Sequence, residues 1–557
     1  MLIALFMWIY ITGVCFTWGI IICRLLISRK LFFPIELPHF SLICLTGMAV
    51  AGTIALYVSI FLPLNLYTHL FILLPALLCW LITPLRSKMF FQFRKAFSFS
   101  GLPLAIFGMA IMMVLVISTY KIIHPDTLSY HVQSIIWFET FKAVPGTVHI
   151  DLELAFQSLW FATNALFHWN FNTPGYAFYL NGAVLSWFFL FICGSIRVNG
   201  QANAKTATLL VVLIFTLISW TQVRLTAASA SPDFIVSLYI LGAGFIFLEG
   251  KKDKYYTHWM VIIFSMAAIS IKLSAFTMAL LPLMLVISWI KKKQFMLASR
   301  SIFFCLLFLI PILARNSIAS GYPFYPSGFL NIMNVEWKLS MPALEAFQQY
   351  IMNYARIPVD GNAVTTSVDV HSNWIPAWWN YLATADKLLL SLIFLLAIAN
   401  LGYLHKSRKI LASEEIMLLA TSITGSILWF VLAPDPRFGT GFLMLLASLL
   451  AHILVKHKQL GSVISKRALI VVCWIILSGI TGYTLYRFNR FFEPDQVFYP
   501  KGVELGDYKM VNCQNVTLYV PLLDSICGSI PAPCMVDSCN RVIPIGDVTT
   551  DGFLEKK

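Results

Sequence analysis

The sequence predicts a polytopic, all-α integral membrane protein, and three observations carry that expectation. Of 557 residues, 59% are hydrophobic and 11% charged, against about 25% charged in soluble chains. Apolar runs recur along the chain, comparable with the ~20 residues a helix needs to cross ~30 Å of hydrocarbon. Basic residues concentrate in alternate connections between those runs. A membrane β-barrel would need alternating segments of about ten residues, whereas these runs are continuous.

Fourteen spanning helices are expected, near 2–23, 40–62, 68–85, 101–119, 177–195, 206–220, 233–248, 257–271, 274–290, 301–315, 385–404, 415–433, 439–455 and 468–486. Seven alternate connections (24–39, 86–100, 196–205, 249–256, 291–300, 405–414, 456–467) hold 23 of the 39 Lys and Arg residues. Cytoplasmic loops are the ones enriched in Lys and Arg, so these face the cytoplasm and the others face outside. The formal charge of +14 is thereby explained by topology, and no nucleic-acid partner is expected. The first run has no basic residue before it and Arg24, Arg29 and Lys30 after it. A cleavable signal peptide shows the reverse, so an uncleaved anchor with an outside N-terminus is expected.

Four regions follow: N-terminal membrane helices over 1–100, a membrane core over 101–445, C-terminal membrane helices over 446–486 and an outside tail over 487–557. Three outside segments are long: 119–176, 316–384 and 487–557. Segments of that length are functional or disordered, and the many Trp, Tyr and Phe residues of the first two argue for order. Residues 151–169 contain Asp151, Glu153, Gln157, Asn164 and His168. Each polar group is costly in lipid, so an interfacial or re-entrant helix is expected there rather than a further span. No internal repeat is apparent.

Cysteine usage provides an independent check on sidedness. Seven of eleven cysteines fall in or beside apolar runs, while Cys513, Cys527, Cys534 and Cys539 crowd the tail. Disulfides persist outside the cytoplasm, which agrees with the charge rule. Four cysteines allow three pairings. No CxxC spacing or tail histidine supports zinc there.

Chemistry-bearing residues gather at the expected outer helix ends. Asp126 stands in His124-Pro125-Asp126-Thr127-Leu128-Ser129-Tyr130-His131, directly after the fourth run. Arg224 and Asp233 flank the turn between the sixth and seventh runs, where they can pair with each other. Lys272 sits in a short turn, Arg315 ends the tenth run, and Asp435 and Arg437 link the twelfth and thirteenth. Charged residues at helix ends commonly just reach for water. Several cations with an acid nearby instead make an anion site with a candidate base, because Arg grips phosphate bidentately and Lys acts as a point charge. Tyr130, Tyr322 and Tyr325 are candidate sugar contacts. No metal is assigned; the alternative is a divalent ion on His124, Asp126 and His131, donors that suit zinc or manganese.

These motifs together resemble the GT-C superfamily of polytopic, lipid-phosphosugar-dependent glycosyltransferases, related to protein mannosyltransferases and to the aminoarabinose transferases that modify lipid A. The resemblance covers roughly 100–445. It rests on HPDTLSYH at 124–131, SPDF at 231–234, IKLSA at 271–275, ARNSIASGYPFYP at 314–326 and APDPRFGTG at 433–441. More narrowly, the chain is similar to a group of bacterial membrane proteins with a cysteine-containing C-terminal tail. The resemblance implies that Asp126 is the catalytic base and that Lys272, Arg315 and Arg437 contact the donor phosphate. It further implies a substrate pocket including His124, Tyr130, His131, Arg224, Asp233, Tyr322, Tyr325 and Asp435. Two features depart from the family: Asp126 is single where many relatives carry paired acids, and three extra helices precede the core.

The expected function is transfer of a sugar from a polyprenyl-phosphate donor to a glycan, lipid or protein acceptor, at the outer face of a bacterial inner membrane. Inversion at the anomeric carbon is expected. Polymerisation of lipid-linked polysaccharide repeats is the alternative within the same class. A lipid or sugar transporter or flippase is the alternative outside it, disfavoured because transporters place polar groups at mid-membrane.

Overall fold

A computed structural model describes residues 1–27, 38–169, 175–196, 204–249, 255–356, 374–407, 411–458, 466–523 and 526–556. Parts of the basic connections, including Arg29, Lys30, Lys251 and Lys252, lie outside the described residues. Every expected apolar run falls on helix. The N-terminal region contains α1 (Leu2–Ile27), α2 (Phe40–Val58), α3 (Leu66–Leu81), α4 (Thr83–Ala96) and α5 (Leu102–Ser118). The first two are antiparallel and pressed together through glycine. A Cβ on Gly47 would lie 1.7 Å from the Cys15 carbonyl oxygen, and one on Gly19 2.0 Å from that of Ile43. Small residues permit such close approach where lipid supplies no hydrophobic drive between helices. Pro84 opens α4, which meets α3 at a 95° bend. A basic helix therefore stands where a loop was expected.

The first long segment holds a π turn, Thr127–His131, running into α6 (Val132–Thr140), then α7 (Leu159–Phe167). All of α7 is buried, against α2 and α6. Of the interfacial and re-entrant alternatives expected here, the helix does not fit the interfacial one, since protein encloses it on all sides, and its nine residues are too few for a further span. Ser158 caps Trp160 N and donates to the Ile271 carbonyl, and Asn164 donates to the Trp160 carbonyl.

The core continues with α8 (Leu180–Ser195), α9 (Ala204–Ile218), the short α10 (Trp220–Val223), α11 (Asp233–Glu249) and α12 (Tyr255–Ile271). A 3-10 stretch, Leu273–Ala279, leads into α13 (Leu280–Lys291) and α14 (Phe295–Ser320). The second long segment carries α15 (Met341–Arg356) and α16 (Ile375–Tyr381), followed by α17 (Thr384–Ser407), α18 (Ser413–Leu432), α19 (Pro436–Lys458) and α20 (Lys466–Phe491). Both α2 and α19 are largely enclosed, whereas α17 presents Leu388, Phe394, Leu395 and Ile398 outward. An apolar outward face is what contact with lipid tails requires.

Among the described residues, eight helices are long and apolar enough to cross a bilayer, or nine if α3 and α4 form one bent span. The chain is thus an all-α membrane protein. Five further apolar helices are shorter: Leu102–Ser118, Leu180–Ser195, Ala204–Ile218, Asp233–Leu248 and Thr257–Ile271.

The tail forms two small antiparallel sheets. Strand β1 (Tyr508–Cys513) pairs with β2 (Val516–Pro521), and β3 (Val542–Pro544) with β4 (Phe553–Glu555). Of the three possible pairings, the structure has Cys513–Cys539 and Cys527–Cys534. The tail docks on the first long segment. Gln133 Nε2 donates to the Gly528 and Ile530 carbonyls, at 3.0 and 2.6 Å. Phe553 N donates to the Pro145 carbonyl, with the Phe553 side chain fully buried.

Candidate functional site

Antiparallel pairing of α11 with α12 decides the first half of the site. Their connection joins the far ends, so Asp233 at the start of α11 meets Lys272 just beyond the end of α12. They form an ion pair, and the Lys272 ammonium lies 3.8 Å from the Phe438 ring centroid. Asp233 therefore pairs with Lys272, not with Arg224.

The second half is set by the turn between α18 and α19. Arg437 donates from Nε and Nη2 to Asp435 Oδ2, at 3.1 and 3.0 Å, and from Nη1 to Asp126 Oδ2, at 3.2 Å. The guanidinium thus ties the first long segment to the start of α19. Asp126 Oδ1 has no donor among the described residues. Asp126 immediately precedes the π turn, a rare conformation that recurs at functional sites.

Asp126, Lys272 and Arg437 open onto one cavity of about 820 Å³, also lined by Tyr130, Glu153 and Tyr325; His124, His131, Asp233 and Asp435, expected in the pocket, are not on its lining. That volume is of the size that takes small ligands. Phe276, Leu428 and Leu432 also line it and are exposed, so one side of the cavity is apolar and open. On α15, Phe347, Tyr350 and Tyr354 stack at 6.1 and 6.3 Å and line the cavity too. Ile526 of the tail completes its wall.

Glu153 is a cavity residue that sequence reasoning passed over. Burial, reinforced by the Asp151 and Asp126 carboxylates, pushes its carboxyl up to about 8. Burial also raises the Tyr130 phenol and holds the His124 and His131 imidazoles below their ordinary range. Neutral His131 shares a hydrogen bond with Thr127 Oγ1 at 2.9 Å.

Other expected site residues lie elsewhere. The donors of Arg315 go to Gln157 Oε1 at 2.7 Å and to the Ser59 carbonyl and hydroxyl at 2.6 and 3.0 Å; it does not line the large cavity. Arg224 is buried near Tyr120 and Arg487. Tyr322 is not on the cavity lining; it is buried in the apolar cluster that also holds Tyr325 and Phe347, its hydroxyl donating to the Leu339 carbonyl. Of the four expected cations, two stand beside Asp126.

His124, Asp126 and Asp233 each offer one ligand atom, all within 4.8 Å of one another. One imidazole and two carboxylates suit zinc or manganese. Asp233 takes the place expected of His131, whose Nδ1 is engaged by Thr127.

Fold and site together define an all-α membrane protein with a large cavity of mixed polarity at one end of its helices. Residues 1–444 match the family described as domain of unknown function (DUF8201), and the chain belongs to that family. No curated protein and no solved structure matches it.

Proposed function

We propose that the protein is a membrane glycosyltransferase that moves a sugar from a polyprenyl-phosphate donor to a glycan, lipid or protein acceptor. The observation that carries this reading is the composition of the cavity. Asp126, Lys272 and Arg437 share it with exposed Phe276, Leu428 and Leu432. An isoprenoid tail fits the apolar opening, its phosphate fits the cations, and the sugar fits the aromatic interior of Tyr130, Tyr325 and Tyr350. The GT-C resemblance supports the reading, as does the helix inventory. Among the described residues, eight long apolar helices, a ninth if α3 and α4 form one bent span, and five shorter ones would make fourteen if all crossed. On this reading the cavity faces outward from a bacterial inner membrane.

In the proposed step, Asp126 Oδ1 takes the proton of the acceptor hydroxyl. The acceptor oxygen then attacks the anomeric carbon from the side opposite the phosphate, inverting it. The bonding pair leaves with the phosphate, whose charge Lys272 and Arg437 offset. Glu153, protonated at neutral pH, can donate a hydrogen bond to a substrate oxygen. A divalent ion on His124, Asp126 and Asp233 would, when bound, shield the donor phosphate from those carboxylates.

Binding of a short-chain polyprenyl-phosphate sugar to the purified protein tests the reading. Lys272→Gln should weaken binding by about tenfold or more, as loss of a charged hydrogen bond of ~1.5–3 kcal/mol requires. Equal binding by both proteins would remove Lys272 from the donor site.

A further inference from the structure

Arg315 is buried with no carboxylate against it among the described residues; its partners are Gln157, Ser59 and the face of Phe138, whose centroid lies 3.9 Å from the guanidinium carbon. Nη2 has no acceptor there. A buried cation without a counter-charge is costly.

The same guanidinium lines a second, small cavity of about 20 Å³, distinct from the large one. Three further side chains lining it carry buried polar atoms without a partner: Ser134 Oγ, Trp137 Nε1 and Thr147 Oγ1. The exposed Lys142 also lines it, giving a path from the aqueous side.

This is a donor-rich set. Indole and guanidinium nitrogens and an ammonium can only donate, and each hydroxyl can donate. A water molecule could pass its hydrogens to the Ser134 and Thr147 hydroxyls, but it carries no charge to offset the buried guanidinium. A monatomic anion accepts from every one of these groups and neutralises the arginine. The volume is about that of one water-sized particle, which favours a monatomic anion over phosphate.

The geometry points to a monovalent anion site, chloride in size and charge, held by Arg315, Trp137, Ser134 and Thr147. The anion joins α6 and the loop at 142–147 to α14. Gln157 lines both cavities, so the site also steadies the wall of the large one. The inference does not depend on the proposed glycosyl transfer.

Thermal unfolding in detergent, in sodium chloride against sodium gluconate at equal ionic strength, reads the site out, since gluconate is too large to enter. Chloride should give a saturable rise of several degrees in Tm, as a ligand bound only by the folded state does. Thr147→Val keeps the volume, removes one donor, and should weaken the chloride response at least severalfold. Because Arg315 variants can fail to fold, bromide in crystals of the unaltered protein provides the second test. An anomalous peak beside Arg315 supports the site. Equal Tm in both salts, or density there without anomalous signal, overturns it.

Discussion

Replacing Arg437 with methionine tests the central ion cluster most sharply. The side chains of Arg437, Asp435 and Asp126 are 11%, 14% and 24% exposed, so this is not a surface ion pair worth ~0–1 kcal/mol. Arg437→Met keeps the aliphatic stem but leaves two part-buried carboxylates without their shared cation. Breaking such a buried pair costs about 3–5 kcal/mol. Lysine at 437 offers a point charge in place of a fork, so Arg437→Lys should recover roughly half of that. Adding Asp435→Asn to Arg437→Met removes one of the stranded charges and should return at least ~1 kcal/mol through coupling. Reversible denaturation in mixed micelles measures all four proteins. A methionine variant within ~0.5 kcal/mol of the unaltered protein, or a double variant no more stable than the single, would refute the cluster as described.

Three further outcomes follow from other parts of the structure. The Glu153 carboxyl is raised from 4.5 to about 8, so the folded state keeps a proton that the unfolded chain has lost. Stability should therefore fall as pH climbs between those values, by at most ~1.4 kcal/mol per unit. Glu153→Gln should abolish that slope, gaining Tm at pH 9 and not at pH 4; parallel pH profiles would contradict it. Gly47→Val forces a Cβ to 1.7 Å from a backbone oxygen and should reduce the folded yield severely, while Gly479→Ala, with open space around it, should be harmless. Gln133→Leu deletes both side-chain bonds to the tail and should speed proteolysis beyond residue 491 while leaving the helices intact; an unchanged cleavage rate would deny the docking.

The helices were legible because each is an apolar run long enough to dominate its local pattern. Asp126, Lys272 and Arg437 were legible for a related reason, since charge at the end of an apolar run needs a partner or water. Partner identity was not. Arg224 is nearer to Asp233 in sequence, yet the α11–α12 hairpin brings Lys272 to Asp233 from 39 residues away. Arg315 looked like a phosphate ligand, but its acceptors, Ser59 and Gln157, are 256 and 158 residues distant. A guanidinium held by carbonyl and amide oxygens leaves no pattern in a sequence. The aromatic face of α15 had a readable signal, Phe347, Tyr350 and Tyr354 at helical spacing. Glu153 was hidden because its environment, not its neighbours in sequence, raises its carboxyl.

The most direct measurement of the proposed activity is sugar transfer in proteoliposomes supplied with a radiolabelled polyprenyl-phosphate sugar and an extract of candidate acceptors. The unaltered protein should release free polyprenyl phosphate and label an acceptor. Asp126→Asn, still folded by its elution profile, should do neither, falling by at least ~10²-fold as loss of a general base predicts. Transfer by Asp126→Asn at an undiminished rate would contradict the account.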